Sequence, residues 1–506
     1  MKKNRLIMLV VTGLLSLTTL AQKVTQNCAV IVGVNRENIY VGNNEDWLHP
    51  FTSVFCYPAS EGKFGRIMFG FSFTESNQGY CGGMNEKGLF IDGLGISNTR
   101  WKADSSKKSL GTISEFNGNL ESYILEKFGS VDQVISFFNE YNIIHLTTGK
   151  FLIADKSGAS IVVEWGQNKM QILKREGDFQ IATNFVQSNY KKGEYPSYRY
   201  NLAEKIFNNS KDHITINKVK EILSAVHWEE TEDHPTTTVY SYICDLKKGD
   251  IYVYNFHNYE AEVKLNIDNE LKKGEQIHPL VTLFPYETYS ENIWKNKKVV
   301  SILVDKITNE GFDGDNGFFN TINHWKNSQI FNFYTISEEQ IVEIADKLKD
   351  KGKYSDAIKV CKYGINKYSN SVTLQNKLSM IYYYSGDFDS AIESFKNILA
   401  NNPDNINAKW YVEYIEALNN SNLVDVKNFE SITGQYGERK LFIENGKLFY
   451  QYGTGTKREL VPMKDNVYVL KDIDYFRIRV IKKDNQSEAI EGVYLDGRNY
   501  LYEKSL

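Results

Sequence analysis

The 506-residue sequence is poor in cysteine: it has five, and they do not cluster. Cys28, Cys56, Cys81, Cys244 and Cys361 are too few and too scattered to staple a chain of this length, which excludes a disulfide-built scaffold. Because the number is odd, at least one thiol stays unpaired or pairs between chains, and a Cys56–Cys81 bridge remains open at this level. An excess of charge of one sign is also missing. A net charge of -4 without a polybasic stretch gives no footing for nucleic acid or anionic lipid, so small substrates are expected. There is no His-Glu-x-x-His, no Cys-x-x-Cys and no Gly-rich phosphate loop, and His227 and His234 stand seven apart with Trp228 between them. These absences argue against a zinc mechanism, and neither a metal nor a cofactor is expected.

What the chain does have begins at its first residues. Lys2, Lys3 and Arg5 precede an apolar run over 6–20 that ends in Thr19-Leu20-Ala21, the pattern of a secretory signal peptide over 1–21. The run is short for a membrane span and is interrupted by Thr12, Gly13, Ser16, Thr18 and Thr19. No cysteine follows Ala21, so a lipid anchor is not suggested. The protein is expected to be periplasmic or secreted, with the membrane only its export route.

The length favours two to four domains. From Cys28 to about residue 256, short strands are predicted over 29–34, 39–41, 67–73, 89–91, 161–165 and 239–244, separated by turn residues. Helical periodicity appears over 120–128, 131–141, 198–207 and 216–225. Strands and helices are grouped without strict alternation, which reads as α+β with antiparallel sheets covered by helices. Near Ser337 the pattern changes: Gly352-Lys-Tyr354-Ser-Asp356-Ala357-Ile358 recurs as Gly386-Asp-Phe388-Asp-Ser390-Ala391-Ile392. An offset of 34 residues with a small Ala at the crossing resembles tetratricopeptide repeats, which suggests a protein partner for this segment. Cys361 falls opposite Phe395 in this register and reads as helix core. From residue 421 the pattern is all-β, with alternating strands around Asn445-Gly446.

The chemistry sits near Cys28. Cys28-Ala-Val-Ile-Val-Gly-Val opens one strand, and its hairpin partner ends in Gly42-Asn43-Asn44-Glu45-Asp46-Trp47, so antiparallel pairing brings Asp46 near Cys28. If Cys28 is the first residue of the mature chain, its α-amine, titrating near ~7.7 to 8.0, can take the thiol proton. Residues 22–27 would then be a short propeptide, removed by the same thiol or by another protease.

That segment, together with Gly82-Gly83-Met84-Asn85-Glu86-Lys87-Gly88-Leu89-Phe90-Ile91-Asp92-Gly93, Ile181-Ala-Thr-Asn184, Ser197-Tyr-Arg199 and the stretch 236–249, resembles the N-terminal-nucleophile linear amide hydrolases. This superfamily includes choloylglycine hydrolase, penicillin V acylase and isopenicillin N acyltransferase. The resemblance implies an αββα sandwich over 28–325, followed by helical repeats over 337–420 and a small β domain over 421–506. It implies hydrolysis of a small acyl amide through a cysteine thioester, with Cys28 as nucleophile and base. Asp46 would hold the α-amine, Asn184 would donate to the oxyanion, and Arg199 would sit by the thiol. Asn43 stands where the bile salt and penicillin V branch carries Arg, and Gly95 leaves any second oxyanion donor to the backbone. Taken singly, each of these residues reads as a strand, turn or helix-surface residue; their order and spacing carry the assignment. The competing readings are an acyltransferase or dipeptidase of the same superfamily, and a repeat-based scaffold whose hydrolase-like domain is inert.

Overall fold

The structure, a computed structural model, describes residues 28–74, 77–210, 214–232, 234–315, 317–327, 336–420, 429–483 and 486–505. The expected signal peptide and propeptide lie outside the described residues. The chain forms two compact units, divided at Val299/Val300, with the segment from His324 returning to the first.

In the first unit the strands are β1 (Ala29–Val34), β2 (Ile39–Trp47), β3 (Thr52–Tyr57), β4 (Arg66–Thr74), β5 (Asn77–Asn85) and β6 (Leu89–Gly95). Two helices follow, α1 (Leu120–Lys127) and α2 (Val131–Glu140). Then come β7 (Gly149–Asp155), β8 (Ser160–Gly166), β9 (Lys169–Lys174), β10 (Phe179–Thr183), α3 (Tyr198–Asn208) and α4 (Ile216–Ala225). Strands β11 (Thr237–Asp245), β12 (Asp250–Asn255), β13 (Val263–Asn266) and β14 (Gln276–Pro279) complete it. They build a six-stranded sheet of order β10-β1-β2-β11-β12-β13 and an eight-stranded sheet of order β9-β8-β7-β6-β5-β4-β3-β14. Helices α1 to α4 each start at an Asn, Ser or Thr whose side chain accepts a first-turn N–H: Asn119, Ser130, Ser197 and Thr215.

The alternation of β1 shows how the layers stack. Val30 and Val32 point between the sheets, where they meet Phe69 and Phe90 of the other sheet. Ala29 and Ile31 point the opposite way, against Phe207 of α3 and Val219 of α4. On the far side Met68, Leu89 and Ile91 pack on Leu120, Ile124 and Val134 of α1 and α2. The unit is thus helix, sheet, sheet, helix, the layering that the resemblance implied.

The second unit holds five consecutive helices, α5 (Glu338–Asp350), α6 (Tyr354–Lys367), α7 (Val372–Ser385), α8 (Phe388–Asn401) and α9 (Ile406–Asn419). Cys361 and Phe395 are both fully buried in them. An eight-stranded meander runs from Gly434–Tyr436 to Asn499–Glu503, each strand paired with the next in sequence. The N–H of Ser505 donates to the Gln435 carbonyl at 2.7 Å, curling the last strand back on the first as in a barrel. The turn Asn445-Gly446 has φ of 49° and 74° at its two centres, as a two-residue hairpin loop requires. All five cysteines are free thiols, so the Cys56–Cys81 bridge is not formed.

Candidate active site

The site follows from register. Ala29 lies opposite Thr183 on one side and Asn44 on the other. One step towards the start of β1 therefore puts Cys28 level with Asn184 and Glu45. Cys28 shares a face with Val30 and Val32, and its side chain enters the layer between the sheets at 1% exposure. Its Sγ donates to Glu45 Oε1 at 3.5 Å, while Asn43 Nδ2 donates to Glu45 Oε2 at 3.4 Å. With residues 1–27 attached the Cys28 nitrogen belongs to a peptide bond. Burial, then the neighbouring charges of Glu45 and Asp46, push the thiol well above its ordinary range. Burial also pushes Glu45 up to about 8, against the opposing hydrogen bond from Asn43.

Asp46 is one residue further along β2, and the period of two turns it to the opposite face. Its Oδ2 accepts from Arg199 Nη1 at 2.6 Å and its Oδ1 from Thr238 Oγ1 at 2.5 Å. Burial raises it to about 6, with Arg199 and Thr238 pulling the other way. Its backbone N–H is the link to Cys28, stabilising the sulfur as a thiolate. Arg199, expected by the thiol, has Nη1 on Asp46, and its Nε donates to the Val226 carbonyl at 2.5 Å. Its role in this geometry is to fix the carboxylate.

Asn184 follows β10 directly, and its Nδ2 donates to the Gly95 carbonyl at 2.7 Å at the end of β6. An amide nitrogen carries two N–H groups, so one anchors the side chain and the other remains to donate. Gly95 also lines a cleft of about 310 Å³ with Glu45, Cys81, Glu121 and Lys150, walled by Trp47, Phe71, Tyr80 and Phe151. The cleft thus reaches the thiol through Glu45 and the Asn184 amide through Gly95. Lys150 is not free to meet an anion, because its ammonium is fully buried on Glu164, the Phe185 carbonyl and Gln187.

Glu45, Cys81 and Asp92 were missed by the sequence reasoning. Cys81 shares the Glu45 carboxyl with Cys28 as a hydrogen-bond partner. Asp92 is fully buried, with Oδ2 accepting from Tyr242 at 2.5 Å and Oδ1 unpartnered. The missed clue for Glu45 lay in the segment itself: it occupies a position of β2 that shares the face of Cys28, whereas Asp46 does not.

Residues 60–212 match the family described as linear amide C-N hydrolases, choloylglycine hydrolase family. By that match the first unit carries a hydrolase domain of the kind that acts on non-peptide carbon–nitrogen bonds in linear amides. The matched stretch contains Asn184 and Arg199 and begins after Cys28 and Asp46. Among solved structures, two variants of a conjugated bile acid hydrolase from Clostridium perfringens are similar, at 20% and 19% identity, each with a TM-score of 0.38. They cover 49% and 50% of this chain and 95% of their own. A penicillin V acylase from Agrobacterium tumefaciens is 15% identical, with a TM-score of 0.38, covering 49% of this chain and 90% of its own. No curated protein matches.

Proposed function

We propose that this protein is an exported cysteine hydrolase that cleaves a small acyl amide after removal of residues 1–27 exposes the α-amine of Cys28. The observation that carries the reading is the placement of Cys28 at the head of a central strand, level with Asn184 and next to a cleft-lining carboxyl. In the mature chain the α-amine takes the thiol proton and the sulfur attacks the amide carbonyl. The developing oxyanion accepts the second N–H of Asn184, a donor of a kind worth roughly 2.7 to 4 kcal/mol in the transition state. The tetrahedral species collapses, the amine leaves with the proton from the α-ammonium, and water hydrolyses the thioester to acid and free thiol. Asp46, clamped by Arg199 and Thr238, holds the end of β2 against Cys28. The helices of the second unit are read as tetratricopeptide-like, a protein-docking segment separate from this chemistry.

The test is the intact mass of the exported protein together with its release of free amine from an acyl-amide panel. The expected result is a chain that begins at Cys28 and loses activity in Cys28→Ser. An active enzyme whose first residue is Gln22 would sink the proposal, because Cys28 would then have only a peptide nitrogen beside its thiol.

A further inference from the structure

The loop after α4 and the turn after β12 bring together three side chains that the hydrolase reading does not use. His227 directs Nδ1 at the Ser224 carbonyl, 2.6 Å away in the last turn of α4. A carbonyl only accepts, so Nδ1 carries the proton and Nε2 is left facing outward. There it meets Glu229 Oε1 at 3.2 Å, an atom that is also only an acceptor when ionised. His257 closes the group. Its ring lies 4.9 Å from that of His227, and its buried Nε2 has no hydrogen-bond partner. The donor atoms of His227, Glu229 and His257 all lie within 4.8 Å of one another. Phe256 and His257 have φ of 48° and 49°, an uncommon conformation for two successive non-glycine residues, and it turns this ring onto His227.

We infer that His227, Glu229 and His257 form a binding site for one divalent cation of the zinc class. Two imidazoles and a carboxylate are a donor set that zinc takes with a further position left for water. Ligands at about 2.0 to 2.1 Å on a tetrahedral ion stand about 3.3 Å apart, and two imidazole rings sharing it stand about 5 Å apart. The 3.2 Å and 4.9 Å separations fit that geometry. The Nδ1–H bond to the Ser224 carbonyl is the outer contact that a ligating histidine needs to fix its ring. Solvent reaches the site, since the Glu229 side chain is 71% exposed and that of His227 28%. His234 takes no part: its ring packs edge-on against Trp228 at 5.5 Å.

The cation would act as a clamp at a distance from the thiol. His227 directly follows Val226, whose carbonyl holds Arg199 Nε, and Arg199 holds Asp46. Tying His227 to His257 fixes the loop that supplies this carbonyl. The ion is thus a positioning element, and its loss should loosen the Arg199–Asp46 pair without removing a group that touches substrate.

The experiment is calorimetric titration of the metal-stripped full-length protein with Zn²⁺, with Ca²⁺ as a hard-cation control, and visible spectroscopy after Co²⁺ loading. One equivalent of Zn²⁺ should bind, Ca²⁺ should not, and Co²⁺ should give the intense bands of a low-coordinate nitrogen–oxygen site. Affinity for Zn²⁺ should fall at least tenfold in His257→Ala and in Glu229→Gln. The second variant changes an exposed side chain, so it reports even if the first fails to fold. Absence of saturable Zn²⁺ binding, which would leave only an imidazolium–carboxylate pair, overturns the inference. Equal affinity in wild type and folded Glu229→Gln overturns it as well.

Discussion

Replacing Glu45 by Gln removes a charge beside the candidate nucleophile while keeping the side chain's shape. The carboxyl is 3% exposed and its Oε1 lies 3.5 Å from Cys28 Sγ. Above a pH of about 8 it is ionised, and its charge then opposes formation of the thiolate. Two charges about 4 Å apart at an effective dielectric of about 20 interact by about 4 kcal/mol, an upper bound here. Half of that still changes the thiolate fraction by about 30-fold. Alkylation of Cys28 with iodoacetamide, followed by peptide mass spectrometry to separate it from the other four thiols, reads that fraction. At pH 9 the variant should react tens of times faster than wild type, and the ratio should shrink towards one at pH 6, where Glu45 holds its proton. Equal rates at pH 9 in a variant with an unchanged circular-dichroism spectrum would refute the reasoning, and so would a slower variant.

The same group should leave a mark on stability. Its folded value of about 8 lies above its ordinary 4.5, so the folded state binds the proton more tightly than the unfolded one. The contribution is fully present below pH 4.5 and is lost as pH rises to 8. Denaturant midpoints for wild type should fall across that window by more than those of Glu45→Gln; parallel curves would contradict the assignment.

Asn184→Ala should lower turnover by about two to three orders of magnitude with the melting temperature nearly unchanged, measured as kcat on the best amide of a panel. Arg199→Met should leave the buried Asp46 charge without its partner and cost about 3 to 5 kcal/mol in urea unfolding, partly recovered in Arg199→Met/Asp46→Asn.

Much of the fold was legible where local chemistry decides. The four helices α1 to α4 begin at side chains that cap them, and the Asn445-Gly446 turn forms where it was read. Strand β5 was not legible, because its sequence Asn77–Asn85 is rich in residues that disfavour strands. The packed structure explains them. A Cβ at Gly82 would stand 2.3 Å from Asp92 Oδ2, and one at Gly70 in the facing strand would stand 2.0 Å from the Gly79 carbonyl. Glycine is needed there for close backbone approach, a tertiary demand that propensity does not encode.

The site shows the same division between what local pattern decides and what packing decides. Cys28 was singled out at the head of a predicted strand and Asn184 through the family resemblance, and the pairing of β1 with both neighbours sets the two level. The face on which a carboxylate sits depends on a single residue of register, and antiparallel pairing alone does not separate Glu45 from Asp46. Once the strands pair, 45 falls on the thiol's side and 46 on that of Arg199. That split gives the two acids different work. Glu45 shares the layer between the sheets with the sulfur and, next to burial, raises its proton affinity, whereas Asp46 ties β2 to α3 and, through Arg199 and Val226, to the loop that carries His227. His257 joins that loop from 30 residues away along the chain, through two strands whose pairing no local spacing reveals. The support for the carboxylate therefore belongs to the folded sheet and its covering helices, which is why the motif read from β1 and β2 singled out Cys28 as a candidate and left its surroundings unread.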